Sequence, residues 1–164
     1  MRRRRRPAGP VTAEGPDRFR LALDLEESAL LRRLLGQLRG LLSEAPPDDA
    51  RVRRLFPTAY HDDPERDGEY QRFMREELVA SRLAALNDVD GALQSGVLTT
   101  DQLAAFMRSL NALRLVLGTL LDVDDDPDPV AINSQDPLFA EYQLYVWLSW
   151  MLEHVVEALT PGLA

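Results

Sequence analysis

The chain has 164 residues, of which 45% are hydrophobic, and this size and composition suit one domain with a single core. It contains no cysteine, which excludes disulfides, thiolate zinc sites, iron–sulfur clusters and any thiol redox switch within the chain. All 19 basic residues are arginine, so no lysine is available for Schiff-base or general-base chemistry.

The net charge of −8 is distributed unevenly along the chain. Residues 1–20 have a net charge of +5, whereas the rest of the chain has a net charge of −13. The basic residues of the N-terminal run are Arg2, Arg3, Arg4, Arg5 and Arg6. Because charge blocks of this kind are usually disordered, residues 1–16 are predicted to form a disordered arm. The alternative is that the arm contacts phosphates and binds nucleic acid weakly, without sequence preference and with strong salt dependence.

No part of the sequence predicts export or a membrane anchor. The N-terminal arm lacks the apolar region of a secretory signal. The longest charge-free stretch of the last predicted helix, residues 142–152, is shorter than the ~20 residues that span a bilayer. These features predict a cytoplasmic protein that does not contact membranes.

Helical periodicity dominates the chain after the arm. The larger apolar side chains Phe19, Leu21 and Leu23 alternate with Arg18, Arg20 and Ala22, which indicates one short strand. Asp24 and Glu27 have the spacing of a capping box, and leucines at helical spacing follow them as far as Leu42. A proline pair ends this helix, and a short helix is expected over Asp49–Leu55.

A long helix is predicted to begin at Asp63 and Pro64, an N-cap followed by a first-turn proline, and to reach about Leu93. Arg72 is spaced for surface ion pairs with the glutamates three residues before it and four residues after it. The apolar side chains that this helix is expected to bury are Tyr70, Phe73, Met74, Leu78, Leu86, Val89 and Leu93.

Two more helices are predicted in the C-terminal half. Thr99 begins one that ends near Leu121, and Asp136-Pro137 begins the last one, which reaches about Leu159. The predicted fold is therefore all-α, with a single bundle of four to five helices over residues 17–164 and one short N-terminal strand at most.

The two C-terminal helices each carry a surface that fits two interpretations. The last helix is apolar around nearly its whole circumference and holds Trp147 and Trp150, which suits either a central core helix or a dimer or partner interface. Arg108, Asn111 and Arg114 recur every three residues on the preceding helix and so share one side. This side is expected to face solvent or to pair with acids of the long helix. The alternative is that these three residues form a stripe that recognises a protein partner.

No residue pattern indicates catalysis or metal binding. His61 lies beside two aspartates, but the only other histidine, His154, is distant in sequence, which leaves few ways to build a metal site. Residues 122–128 place carboxylates as a calcium loop does, yet Pro127 and Asn133 occupy positions that require Gly and Glu. Nucleophile elbows and phosphate-binding glycine loops are absent from the sequence. We therefore expect no catalytic residue, no metal and no cofactor.

Several motifs follow one another in a fixed order along the chain. They are Arg53-Arg54-Leu55-Phe56-Pro57, Asp62-Asp63-Pro64, Glu69-Tyr70-x-Arg72-Phe73, Leu110-Asn111-x-x-Arg114-Leu115 and Tyr145-x-Trp147-Leu148. This ordered set, spread over about residues 17–160, resembles an actinobacterial family that was long a domain of unknown function. The family is named for AosR, an oxidative-stress transcriptional regulator, and the all-arginine composition fits the same GC-rich bacteria.

The resemblance implies a cytoplasmic, non-enzymatic helical protein that influences the transcription of stress genes by contacting a sigma factor or RNA polymerase. Because the chain has no cysteine, such a regulator would work without a thiol sensor of its own. Methionine oxidation stays open at Met74, Met107 and Met151, although all three are predicted to be buried.

Three surfaces are candidates for binding a protein partner. They are the helix of Trp147 and Trp150, the stripe of Asn111 and Arg114, and the arginine-rich face of Arg53, Arg54, Arg72 and Arg75. A homodimer, an adaptor role in another protein complex, and nucleic-acid contact through the arm are the alternatives.

Overall fold

The fold, taken from a computed structural model, is described over residues 9–122 and 134–162. These residues form four α-helices, one 3₁₀ helix and three short strands. Their bounds are β1 Val11–Gly15, β2 Arg18–Leu21, α1 Leu25–Glu44, the 3₁₀ helix Ala50–Leu55, α2 Pro64–Ser95, β3 Val97–Leu98, α3 Thr100–Leu121 and α4 Phe139–Leu159. The predicted helical bundle is confirmed, but a small sheet takes the place of the single predicted strand.

The three strands form an antiparallel sheet in the order β1-β2-β3. Phe19 of β2 pairs with Leu98 of β3, and both side chains are buried in the main core. β1 is mostly exposed and pairs with β2 through its backbone, with Glu14 accepting hydrogen bonds from the side chains of Arg18 and Arg20.

The expected extent of the N-terminal arm, residues 1–16, needs correction. Residues 11–15 form β1, because the outer edge of β2 offers backbone groups with which this short segment pairs. The arginines of the arm, Arg2 to Arg6, lie outside the described residues.

The helix starts follow the predicted capping signals. Asp24 and Thr99 each form a complete capping box, and the Asp63 side chain accepts a hydrogen bond from the backbone N–H of Arg66. The last helix is the exception, since α4 begins at Phe139 rather than directly after Asp136-Pro137. Asp136 instead caps the preceding turn, where its side chain accepts a hydrogen bond from the N–H of Leu138.

α3 is the central helix of the bundle and packs against α2, α4 and the 3₁₀ helix. Its Leu103, Phe106 and Leu110 are completely buried. Among the helices of the described residues, α3 alone has the length and mean hydropathy, 1.3, of a membrane span. Core helices of water-soluble proteins meet the same criterion, and burial of α3 in the bundle accounts for its apolar composition.

α4 divides its apolar side chains between the core and the surface. Tyr145, Leu148, Met151 and Val155 recur at helical spacing and are buried, whereas Trp150 is 42% exposed. α4 is therefore a core helix along one side, and it keeps exposed apolar groups on the other.

α2 has two halves with different surroundings. The C-terminal half buries Leu86, Val89 and Leu93, as predicted, whereas no residue of the first five turns is buried. The predicted burial of two aromatic residues is wrong, because Tyr70 is 37% exposed and Phe73 is 80% exposed. Phe73 lies about 160° around the helix axis from Val89. Because Val89 faces the core, Phe73 faces away from it.

Candidate functional site

Side chains on one side of the N-terminal half of α2 form hydrogen bonds with the backbone of the segment that precedes the helix. Oδ1 of Asp67 accepts from the N–H of Ala59 at 2.7 Å and from the N–H of Tyr60 at 3.1 Å. One turn later, Nε2 of Gln71 donates to the carbonyl of Pro57 at 2.8 Å. The backbone hydrogen bonds to Asp67 lower the pKa of its carboxyl group, because they stabilise the charged form.

Arg75 continues this row of contacts four residues after Gln71. Its Nη1 donates to the carbonyl of Pro47 at 3.1 Å, and its Nη2 lies 3.5 Å from the carbonyl oxygen of Pro46. Its Cζ atom is 4.2 Å from the centroid of the Phe56 ring, which is a cation–π contact. Arg75, which the sequence suggested as a partner-binding residue, is thus occupied by contacts within the chain.

The other three arginines of the predicted face differ in their availability. Arg54 is half-buried and already has a partner. Arg53 and Arg72 are exposed and line a cleft of about 430 Å³ beside the segment that precedes α2. Neither side chain makes a hydrogen bond or an ion pair with any described residue, so the predicted surface ion pairs of Arg72 do not form.

The same half of α2 also carries exposed aromatic side chains. Phe73 follows Arg72 directly and is the most exposed aromatic residue that the structure describes. Tyr70 packs edge-to-face on Tyr60, with 5.9 Å between the ring centroids. Tyr70 lies about 160° around the helix from Arg72, so we define the α2 face as Arg53, Arg72 and Phe73 only. Exposed aromatic and arginine side chains are the groups in which protein–protein interfaces are enriched.

One residue of the predicted stripe on α3, Arg114, joins two helices instead. Nε of Arg114 donates to Oγ of Ser149 at 2.8 Å, and Nη2 of Arg114 lies 3.4 Å from the hydroxyl of Tyr145. Nη1 of the same residue lies 3.5 Å from Oδ1 of Asn111. The expectation that this side pairs with acids of the long helix is wrong for Arg114, which binds neutral groups of α4. Arg108, one turn earlier, is exposed.

The two tryptophans of α4 have different surroundings. Trp147 is half-buried and packs against the main core, so most of its surface serves folding. Trp150 is partly exposed and lies against His154, with 4.7 Å between the ring centroids. Nδ1 of His154 lies 2.8 Å from the carbonyl oxygen of Trp150, which engages this histidine within its own helix. Trp150 remains a second candidate for partner contact, apart from the α2 face.

The described residues contain no group of three or more histidine, aspartate or glutamate side chains that could hold a metal ion. His61 is exposed in the turn before α2. The acidic stretch 122–128 lies outside the described residues beyond Asp122.

The fold and the α2 face together define a mostly helical domain whose most distinctive surface combines an exposed phenylalanine with two arginines that have no partner among the described residues. The chain belongs to the family DUF2017, a domain of unknown function, whose model matches residues 2–159.

Three mycobacterial proteins are similar to the chain over most of its length. The oxidative stress regulator AosR of Mycobacterium tuberculosis H37Rv is 31% identical over 186 residues, which cover 90% of this chain and 84% of that protein. The oxidative stress regulator AosR of Mycobacterium bovis matches with the same identity and coverage. A Mycobacterium leprae protein provisionally named AosR is 31% identical over 189 residues, covering 90% of this chain and 85% of its own. These matches confirm the family resemblance that the motifs indicated, and no solved structure shows significant similarity.

Proposed function

We propose that this chain regulates the oxidative stress response by binding a protein of the transcription machinery, a sigma factor or RNA polymerase. The observation that carries the proposal is the 31% identity to mycobacterial oxidative stress regulators over 90% of the chain. In this proposal the chain acts in the cytoplasm, by binding rather than by catalysis.

The mechanism cannot use a thiol sensor within the chain, because the sequence contains no cysteine. An oxidant signal would then reach this regulator through its partner or through the amount of protein made, and methionine oxidation on the chain is the alternative route. The chain would supply a preformed binding surface, and oxidation elsewhere in the complex would decide when that surface is used.

We assign the partner to the α2 face. Phe73 offers an apolar anchor that folding does not use, and Arg53 and Arg72 offer two guanidinium groups without partners among the described residues. A partner surface with an apolar pocket and nearby carboxylates would complement this face, since arginine binds carboxylates with two parallel hydrogen bonds. Interface energy is concentrated in a few such side chains, so single alanine substitutions should have large effects on binding.

The test is capture of purified RNA polymerase core and holoenzyme by the immobilised full chain, with and without peroxide. We expect the wild-type chain to retain the holoenzyme, and Phe73→Ala and Arg72→Ala each to weaken retention at least about tenfold. Trp150→Ala tests the alternative surface, because Trp150 is the exposed aromatic side chain of α4. Retention lost only in Trp150→Ala would move the site to α4, and a wild-type chain that retains neither enzyme form would contradict the proposal.

The N-terminal charge favours a second candidate function. The net charge of +5 over residues 1–20 suits weak, salt-sensitive contact with nucleic acid. Removing residues 1–8, which leaves β1 intact, should abolish DNA retention at low salt. Retention that survives this deletion would exclude the arm as the nucleic-acid contact.

A further inference from the structure

A second cleft, of about 310 Å³, lies between α1, α2 and α3 and includes no residue of the α2 face. Its polar lining consists of Ser81 and Arg82 from α2 and Arg108, Ser109 and Asn111 from α3. None of its lining residues is acidic, although the chain has a net charge of −8. This pocket has two guanidinium groups and no carboxylate, so it is locally positive although the molecule is negative. A positive pocket favours an anionic ligand.

Arg82 is the more buried of the two arginines that line this cleft. Its Nη2 donates to the carbonyl of Leu55 at 3.1 Å, while its Nε–H is buried and has no hydrogen-bond partner in the described structure. Burial lowers the pKa of the Arg82 guanidinium, because desolvation disfavours the charged form. A partly buried charge with an unpaired N–H group is stabilised when an anion binds to it.

α3 supplies the donors on the other side of the cleft. Arg108 makes no hydrogen bond or ion pair with a described residue. Asn111 lies one turn later, and Nη1 of Arg114 lies 3.5 Å from its Oδ1 atom. This contact engages the acceptor of the Asn111 amide and leaves its two N–H donors available.

The rest of the lining is apolar and consists of Leu38, Leu78, Ala85, Leu86 and Ala112. Such walls suit a hydrocarbon body, which an inorganic phosphate does not have. The volume of about 310 Å³ lies at the lower end of the range for small-molecule sites, so the ligand should be short.

We propose that this cleft binds a small carboxylate with a short apolar body. The carboxylate would accept hydrogen bonds from Arg82, Arg108 and Asn111, and the body would lie against the leucines. Guanidinium groups match the planar carboxylate with charge-assisted hydrogen bonds, which are stronger than neutral ones. This site does not depend on the proposed function, because it shares no residue with the surface assigned to the protein partner.

The test is a titration of the ¹⁵N-labelled full chain with hexanoate, followed by amide chemical shifts. Hexanol, which has the same apolar body without the charge, and inorganic phosphate are the comparison ligands. Arg108→Gln removes one guanidinium group from an exposed position and should not disturb folding, unlike a change at Arg82, which also binds Leu55. Arg33→Gln is the matched control, because Arg33 is an exposed arginine of α1 that does not line the cleft.

We expect hexanoate to shift the amides of residues 81, 82, 108 and 111 in the wild type and in Arg33→Gln, with equal affinity. Arg108→Gln should bind hexanoate about tenfold more weakly, the loss expected for one charge-assisted hydrogen bond. Hexanol and phosphate should bind far more weakly than hexanoate. The proposal is overturned if hexanoate leaves these amides unshifted, if Arg108→Gln binds as tightly as Arg33→Gln, or if phosphate binds as well as hexanoate.

Discussion

The guanidinium group of Arg75 stacks on the ring of Phe56, with 4.2 Å between Cζ and the ring centroid. The same group donates to the carbonyl of Pro47, so one side chain of α2 holds both ends of the 3₁₀ helix region in place. No side chain in the first five turns of α2 is fully buried, and before Leu78 and Val79 reach the core this half of the helix is held by polar contacts. The α2 face thus lies on a part of the molecule whose order depends on a few named side chains.

Replacing Arg75 by alanine should therefore destabilise the protein. The change removes hydrogen bonds to backbone carbonyls and a cation–π contact, and we expect the free energy of unfolding to fall by about 1–2 kcal/mol. Urea denaturation followed by far-ultraviolet circular dichroism measures this difference. Arg72→Ala, three residues away on the same helix, should change the free energy of unfolding by less than about 0.5 kcal/mol, because Arg72 has no internal partner. Equal effects of the two substitutions would contradict the role given to Arg75.

The contact between Asp67 and the segment before α2 should respond to acid. Hydrogen bonds from the N–H groups of Tyr60 and Ala59 hold the pKa of Asp67 below the ordinary value of about 3.9. The stabilisation they give is complete above that ordinary value and is lost as the pH falls through the lower pKa of the folded protein. We expect the amide chemical shifts of Ala59 and Tyr60 to titrate with a midpoint below about 3.9 in the wild type.

Asp67→Asn provides the control for this titration, because it keeps an acceptor oxygen and removes the ionisable group. The two amide shifts should then show no transition in the same pH range. A wild-type midpoint at or above the ordinary aspartate value would exclude the charge-assisted contact.

Local signals in the sequence predicted most of the helices, and tertiary pairing explains what they missed. Asp24, Asp63 and Thr99 cap the helices they were expected to cap, because capping depends on residues a few positions apart. β1 and β3 had no such signal, since β1 is mostly exposed and β3 has only two residues. β1 pairs with β2 across a turn of two residues, whereas β3 pairs with β2 from the far side of α1 and α2. A pairing between such distant segments leaves little trace in either segment alone.

The candidate site was predicted less well, for a related reason. The position of Phe73 relative to the Leu86 and Val89 stripe on a helical wheel would have placed this residue outside the core. The contacts of Arg75 and Arg114 could not be read from spacing, because their partners are backbone carbonyls and a neutral serine of other elements. Arginine patterns in sequence show where charge is available, and only the fold shows which guanidinium groups are already used.

The methionines should differ in their reaction with peroxide. Met151 is completely buried, whereas Met74 and Met107 are only partly buried, so the prediction that all three are buried holds fully for Met151 alone. Because oxidation needs access to the sulfur atom, brief peroxide treatment of the folded chain should oxidise Met74 and Met107 well before Met151. Peptide mass spectrometry after a time course measures the three rates. In urea the rates should become equal, and rapid oxidation of Met151 in the folded chain would contradict its burial.

The contact between Arg114 and Ser149 should contribute measurably to the packing of α3 on α4. Arg114→Ala removes a 2.8 Å hydrogen bond to Ser149 and a contact with the Tyr145 hydroxyl, and we expect a loss of about 1–2 kcal/mol in the free energy of unfolding. Arg108→Ala, on the same helix, should cost less than about 0.5 kcal/mol, because this exposed arginine has no partner.

A double-mutant cycle separates this contact from other effects of losing the arginine. Ser149→Ala alone also removes a hydrogen bond from Oγ to the carbonyl of Tyr145, so its own cost includes that bond. If Arg114 and Ser149 act together, the double substitution should cost at least about 0.5 kcal/mol less than the sum of the two single changes. Strict additivity would mean that Arg114 stabilises α4 through Tyr145 alone. The packing of α3 on α4 would then depend on the contact of Arg114 with the tyrosine rather than on its contact with the serine.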